Sequence, residues 1–149
     1  MKHYSIFFFF LFGWFFGYAQ MKINFQDSTA IAKVMKMQEN AWNAGDINQF
    51  MEGYLNSPQI VFSGAAGPYY GWRAVYDRYL KTYANKTQMG QLTFTLLSMQ
   101  QWTPNFVMLE GKFDLKRTIG DVSGFFSLGW LKKDGQWYMV NDHTSVSKQ

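Results

Sequence analysis

The segment that follows Gly90 constrains the fold more than any other part of the chain. It contains four runs with β-strand patterning, and no helical spacing separates them. Apolar side chains alternate in "LTFTL" (92–96) and "VMLEGKFDL" (107–115), which is typical of strands with one buried face. The last two runs, "GFFSLGWLKK" and "QWYMVNDH", are joined by Asp134-Gly135, a strong hairpin signal. Strands joined without a long crossover pair antiparallel, so the segment predicts a four-strand meander.

The first predicted helix runs from Asp27 to Ala44. Asp27 or Ser28 can cap its start, and Gly45 suits its end. One face repeats at spacings of three and four residues, so we expect it to be buried. The side chains on that face are Ile31, Val34, Met35, Gln38 and Trp42.

Two further helices and a strand are predicted between the first helix and the meander. "DINQ" (46–49) is typical of a capping box that opens a short second helix. "QIVFSG" (59–64) predicts a strand, "AAGPYYG" (65–71) a turn, and helical spacing returns from Trp72 to Tyr83. Helices gathered before a run of strands predict an α+β fold. We therefore expect three N-terminal helices packed on a strongly bent, mainly antiparallel sheet.

The N-terminus is typical of a secretion signal. Lys2 supplies a positive start, Ile6 to Phe16 is apolar, and Gly17-Tyr18-Ala19 has the small-residue pattern of a cleavage site. The alternative is an uncleaved membrane anchor, but a span needs about 20 apolar residues. We predict a signal peptide at residues 1–19, one domain at residues 20–149, and an exported protein, periplasmic or secreted.

Composition excludes several kinds of site. The chain has no cysteine, which rules out disulfides, thiol catalysis and thiolate metal sites. The net charge of +4 is mild, and no basic cluster is longer than Lys132-Lys133, which argues against a nucleic-acid partner. His143 is the only histidine after the predicted signal. A site with several histidine ligands is therefore impossible within one chain, and we predict no metal and no cofactor.

Two motifs carry a family resemblance. "AWNAGD" (41–46) and "WYMVNDHTS" (137–145), in this order of elements, resemble the nuclear transport factor 2-like superfamily. Among its members the chain looks most like the SnoaL-like and ketosteroid isomerase-like proteins, and closest to an exported group known only as domain of unknown function 4440. The resemblance implies a cone in which a bent sheet wraps a long helix around a mostly apolar pocket. It also implies a homodimer formed through the outer sheet face, but it does not choose among the superfamily's enzymes and binding modules.

His143 is the first candidate for chemistry. Strict alternation places it on the same face of the last strand as Trp137 and Met139, at the rim of the pocket. There its imidazole could act as a general acid or base. The alternative is a hydrogen-bonded histidine that closes the end of a strand. Alternation turns Asp142 and His143 to opposite faces, which argues against a Ser-His-Asp triad.

Six residues are predicted to line or edge the pocket. They are Trp42, Tyr54, Arg78, Tyr79, Trp137 and His143. Arg78 could bind a carboxylate or phosphate, or could instead form an exposed ion pair with Asp77 or Asp46. Isomerase relatives require an inward carboxylate. Glu39 is the nearest candidate in the pattern, and it could simply pair with a lysine.

Three functions remain open at this stage. The leading hypothesis is an exported domain that binds a small apolar or amphipathic molecule, because no inward base is evident. The second is an isomerase, dehydratase or hydrolase that uses His143 as acid or base. The third is a protein-interaction module that uses the outer face of the sheet.

Overall fold

The structure, a computed structural model, describes residues 22–147. The predicted signal peptide at residues 1–19 lies outside this range. Within the described range the chain forms four helices and six strands. The predicted elements occur in the predicted order, and a short fourth helix and one further strand are additional. Their bounds are α1 Phe25–Ala44, α2 Ile47–Met51, β1 Val61–Gly64, β2 Gly67–Tyr70, α3 Trp72–Thr82, α4 Lys86–Met89, β3 Gln91–Thr103, β4 Phe106–Lys116, β5 Val122–Lys133 and β6 Gln136–Val146.

The first two helices begin and end at side-chain caps. The Asn24 side chain accepts a hydrogen bond from the Asp27 amide, so α1 starts two residues before the predicted helix. Gly45 ends α1 in the left-handed conformation, with φ +85°, as expected. Asp46 then caps α2 by accepting from the Gln49 amide at 2.9 Å, which confirms the predicted cap.

The six strands form one open sheet in the order β2-β1-β6-β5-β4-β3. The antiparallel meander of β3 to β6 is as predicted, and β1 pairs in parallel with β6. The predicted turn at 65–71 is wrong in part, because Gly67–Tyr70 is a strand that pairs with β1. Pro68 is tolerated there because β2 is an edge strand, and an edge residue needs no second ladder partner. The α+β fold is confirmed.

The core lies between α1, α3 and the inner face of the sheet. Ile31, Met35 and Trp42 of α1 are buried, as the helical spacing predicts, and Val75 and Tyr79 of α3 are buried beside them. The edge strand β3 has register shifts beside Leu97 and Trp102. Irregularities of this kind bend a strand and increase its twist. The bent sheet therefore leaves space between itself and the helices.

A buried polar cluster attaches the start of α1 to the β5–β6 hairpin. The Asp27 carboxylate accepts from Lys132 Nζ at 2.8 Å, from Trp137 Nε1 at 2.9 Å and from Asn24 Nδ2 at 2.7 Å. The hydrogen bond from Lys132 is the main cause of the lowered pKa of Asp27. The carboxylate is thus ionised at neutral pH, and both of its oxygens accept hydrogen bonds.

Replacing Asp27 with alanine should lower the free energy of unfolding by about 3 kcal/mol, because it leaves the Trp137 indole N–H buried and unpaired beside an uncompensated Lys132. Urea denaturation at neutral pH measures the change. Asp77→Ala is the matched control, since Asp77 pairs with Arg73 on the surface of α3 and should change stability within error. Equal losses in the two variants would contradict the role given to Asp27.

Candidate functional site

A cavity of about 310 Å³ lies between the helices and the inner face of the sheet. Its exposed lining residues, Ala65, Ala66, Thr82 and Val146, mark the mouth beside the β1–β2 hairpin. The interior is dominated by aromatic rings. They are Trp42, Phe50, Tyr54, Phe62, Tyr69, Tyr79, Tyr83, Phe94, Phe113 and Phe126. The size and the mostly apolar walls are typical of small-molecule pockets, which begin at about 300 Å³.

The polar centre of the cavity is Asp142, a buried carboxyl that is 5% exposed. Tyr54 donates its hydroxyl to Asp142 Oδ2 at 2.5 Å, and Thr144 donates to Oδ1 at 2.7 Å. The hydroxyl oxygens of Tyr54 and Tyr79 are 3.1 Å apart. Because the Tyr54 hydroxyl donates its hydrogen bond to Asp142, Tyr79 is the donor in the hydrogen bond between the two tyrosines. The three residues form a continuous hydrogen-bonded chain.

Backbone contacts fix Tyr54 next to the strand that carries Asp142. The segment after α2 pairs with β6 through Met139 N–H to Gly53 C=O at 2.8 Å and Leu55 N–H to Met139 C=O at 2.9 Å. Gly53 lets the same segment pack closely against α1, because a Cβ there would lie 2.4 Å from the amide carbon of Gln38. Tyr79 comes from the buried side of α3, and its ring contacts that of Phe50 edge-on at 5.1 Å. Three separate elements therefore converge on one carboxyl.

A β-bulge in β6 decides which side chains reach the cavity. Trp130 of β5 is opposite Met139, whereas the adjacent Gly129 is opposite Asn141, so Val140 is an extra residue without a partner. Strict alternation stops at such a residue and resumes with the opposite phase. Met139 before the bulge and Asp142 after it both line the cavity.

The predicted position of His143 is therefore wrong. His143 is exposed and does not line the cavity, because the bulge turns it to the outer face of the sheet. Its neighbours in register are Ser63 of β1 and Ser127 of β5. The expectation that no inward carboxylate exists fails for the same reason, since Asp142 takes the position expected for His143. The predicted separation of Asp142 from His143 to opposite faces holds.

The remaining predicted pocket residues divide into two groups. Trp42, Tyr54, Arg78 and Tyr79 all line the cavity, as expected. Trp137 does not, because its indole is buried against the start of α1, where it donates to Asp27. Glu39 also lies outside the lining. Its carboxylate forms an ion pair with Lys36, which agrees with the alternative that it pairs with a lysine, and it accepts a hydrogen bond from the Phe94 amide at 2.8 Å.

Burial controls the protonation of the central groups. Removal from water raises the pKa of Asp142, and the hydrogen bonds from Tyr54 and Thr144 together with the charges of Arg78 and His143 oppose that rise. Burial, reinforced by the neighbouring Asp142 charge, raises the pKa of Tyr54 well above its ordinary value. Tyr54 thus remains a proton donor, while Asp142 is a carboxyl that can hold or release a proton closer to neutral pH than an exposed aspartate.

Arg78 is the one cationic side chain among the described cavity-lining residues. Its guanidinium carbon lies 4.0 Å from the centre of the Phe62 ring and 5.0 Å from that of Tyr79. The ion pairs considered from the sequence do not form, because Asp77 pairs with Arg73 and Asp46 caps α2. Arg78 Nη1 is buried and has no hydrogen-bond acceptor among residues 22–147.

A second polar side chain in the lining is also incompletely paired. Gln38 is 1% exposed and donates through Nε2 to the Phe50 carbonyl at 2.9 Å. Its Oε1 has no donor within the described part of the chain. Unpaired buried polar atoms are rare and often indicate a missing partner. The cavity therefore contains one unsatisfied donor and one unsatisfied acceptor.

Neither a metal site nor a membrane span is found in the described range. No group of three or more His, Asp or Glu side chains in residues 22–147 is arranged to hold a metal ion. No helix in that range is long and apolar enough to cross a membrane.

Comparison with known proteins gives a family. No family model and no curated protein matches the sequence. Among solved structures, a nuclear transport factor 2-like protein of unknown function from Shewanella oneidensis MR-1 is 32% identical, with a TM-score of 0.76 over 80% of this chain and 98% of that one. The chain belongs to the nuclear transport factor 2-like family.

More distant nuclear transport factor 2-like structures share the fold alone. A protein of unknown function from Pseudomonas putida KT2440 is 16% identical, with a TM-score of 0.71 over 86% of this chain and 92% of that one. A ketosteroid isomerase-like protein from Erwinia carotovora atroseptica SCRI1043 is 12% identical, with a TM-score of 0.70 over 85% and 100% of the two chains. The family resemblance seen in the sequence is thus confirmed at the level of the fold.

One sequence signal indicates a bulge near Asp142 in this nuclear transport factor 2-like protein. Gly129 is an isolated glycine within the strand pattern "GFFSLGWLKK", and such a glycine often marks a bulge. A Cβ at Gly129 would meet Asn141 Cβ at 3.2 Å, directly beside the extra residue. The glycine does not reveal which of the two strands carries the extra residue.

The raised pKa of Asp142 gives a pH dependence of stability with a definite sign. The folded protein holds this proton more tightly than the unfolded chain, whose aspartate pKa is about 3.9. The contribution of Asp142 to stability is therefore most favourable below that value and declines as pH rises through the raised pKa. Asp142→Asn cannot ionise. Its free energy of unfolding should therefore rise relative to that of the wild type as pH increases over this interval.

Urea unfolding of both proteins from about pH 4 to about pH 8 measures this difference. A difference that does not vary with pH would contradict the raised pKa of Asp142.

Proposed function

We propose that this protein binds a small, largely apolar or amphipathic molecule in the cavity around Asp142. The observation that carries the proposal is the 310 Å³ aromatic-lined cavity that opens between the hairpin and α3. A polar centre inside apolar walls can orient a ligand, while the walls supply most of the affinity. Trp42, Tyr54, Arg78 and Tyr79 stay in the proposed binding set, and Asp142 joins them.

Filling the cavity tests the proposal. We expect at least one of six probes to bind, namely 2-naphthol, 2-phenylethanol, 1-decanol and their carboxylate counterparts 2-naphthoate, phenylacetate and decanoate. Val122→Trp places a large ring in the lining. It should weaken probe binding by about tenfold or more, because the ring occupies space in which the probe would bury apolar surface. Isothermal titration calorimetry measures both proteins.

Val61→Trp is the matched control, because Val61 is half-buried but lies outside the lining. It should bind the probes as the wild type does. The proposal fails if no probe binds to the wild type, or if Val122→Trp binds as tightly as Val61→Trp.

A second candidate function is proton transfer, with Asp142 as general acid or base. The hydrogen-bonded chain of Asp142, Tyr54 and Tyr79 favours it, because a desolvated carboxyl with a raised pKa exchanges protons closer to neutral pH than an exposed aspartate does. An isomerase or dehydratase reaction would use such a group. His143 is exposed on the outer face, so its predicted catalytic role lacks geometric support.

Deuterium exchange into 2-tetralone, a bicyclic ketone with acidic C–H bonds beside its carbonyl, tests this candidate. In deuterium oxide the wild type should accelerate exchange, and Asp142→Asn should lose about a hundredfold or more of that acceleration. Proton NMR follows the reaction. His143→Gln should exchange at the wild-type rate, and the opposite ranking of the two variants would restore His143 as the acid or base.

Export, dimerisation and the narrower family assignment also belong to the proposal. The sequence of residues 1–19 supports export, and mass spectrometry of the secreted or periplasmic protein would locate the cleavage after Ala19.

Exposed Leu97, Trp102 and Phe125 on the sheet support a homodimer or another protein contact. Sedimentation as a monomer at micromolar concentration would exclude the dimer. Membership of the SnoaL-like group or of domain of unknown function 4440 rests on the two sequence motifs alone.

A further inference from the structure

We infer that the ligand of this cavity is a monocarboxylate, held by the guanidinium of Arg78 with its apolar part against the aromatic walls. The inference rests on the proposed binding function and names the chemical class of the ligand. It depends on three observations, namely the unpaired state of Arg78, the charge balance of the cavity and the restraint on the guanidinium.

The first observation is the missing partner. Arg78 Nη1 is buried and lacks an acceptor in the described chain, although Asp142 lines the same cavity. A buried guanidinium N–H without an acceptor costs free energy that a ligand oxygen would recover. No acidic residue within the described range forms an ion pair with Arg78, so the site is free to accept an anion from outside the protein.

The second observation is the charge balance. Arg78 supplies a single positive charge to the described lining, and the only carboxyl there, Asp142, is already hydrogen-bonded through both oxygens to Tyr54 and Thr144. With Asp142 protonated, the described lining carries one net positive charge, which matches the single negative charge of a monocarboxylate. A phosphate dianion would leave an uncompensated charge in an apolar cavity next to a carboxyl group, which is strongly unfavourable.

The third observation is the restraint on the guanidinium. Phe62 and Tyr79 have ring centres 4.0 and 5.0 Å from the guanidinium carbon. Stacking on aromatic faces holds the planar group and leaves its edge N–H groups for in-plane hydrogen bonds. Gly64 keeps the adjacent hairpin backbone close, because its missing Cβ would lie 3.0 Å from the Phe62 ring and 3.9 Å from Arg78 Nη2. The guanidinium is thus held ready for a planar, two-oxygen group, and a carboxylate has that shape.

Matched pairs of probes test the inference on the whole protein. Each carboxylate (2-naphthoate, phenylacetate or decanoate) should bind at least about tenfold more tightly than its alcohol counterpart. A hydrogen bond between two charged groups is stronger than one from a charged group to a neutral hydroxyl. Phenyl phosphate should bind more weakly than phenylacetate. Calorimetry at neutral pH measures all of these affinities.

Arg78→Gln should abolish the preference for carboxylates, so that each carboxylate binds no more tightly than its alcohol counterpart. Arg78→Lys keeps the charge without the planar fork, so it should retain a reduced preference and serves as the second variant if Arg78→Gln does not fold. Arg73→Gln is the matched control. It removes an exposed arginine from the same helix, and it should keep the full preference.

The outcomes separate the two proposals. If alcohols bind as tightly as carboxylates, or if the preference survives Arg78→Gln, the monocarboxylate inference is overturned while the proposed binding function stands. Tighter binding of phenyl phosphate than of phenylacetate would likewise overturn it. If no probe of either kind binds, both proposals fail.

Discussion

The extra residue at Val140 is the feature on which the rest of the site depends. Before it, β6 turns Trp137 and Met139 inward, and after it the strand turns Asp142 and Thr144 inward. Without the bulge, Asp142 would face outward, and His143, which is exposed in the structure, would face the cavity instead. A one-residue shift reverses every later side chain of a strand, so a single insertion exchanges one kind of chemistry for another.

The buried carboxyl at this position is a compromise between desolvation and hydrogen bonding. Burial disfavours the charge of Asp142, whereas hydrogen bonds from the Tyr54 and Thr144 hydroxyls favour it. A fully satisfied polar chain of this kind can be kept within an apolar core at little cost.

Arg78 and Gln38 differ from Asp142 because their polar atoms are not fully paired. Each leaves one buried nitrogen or oxygen without a partner among the described residues, and both line the same cavity. A buried polar atom without a partner lowers the stability of a folded protein. The packing of α1 on the sheet, secured by the Asp27 cluster, supplies stability that can offset this cost. A cavity that is incomplete in its polar contacts but complete in its apolar walls is suited to a ligand with one polar end.

The sequence by itself determined the α+β class, the order of the main elements and four of the residues that line the cavity. Helical spacing on α1, the cap at Asp46 and the alternation after Gly90 are local patterns, because capping and amphipathicity depend on near neighbours. They were sufficient to place Trp42, Tyr54, Arg78 and Tyr79 correctly. Only the tertiary structure decided that Asp142, and not His143, enters the cavity and that Trp137 is used to hold α1. The physical reason is that a bulge is fixed by the pairing of β6 with β5, and that pairing is a property of two strands together, which periodicity within one strand does not contain.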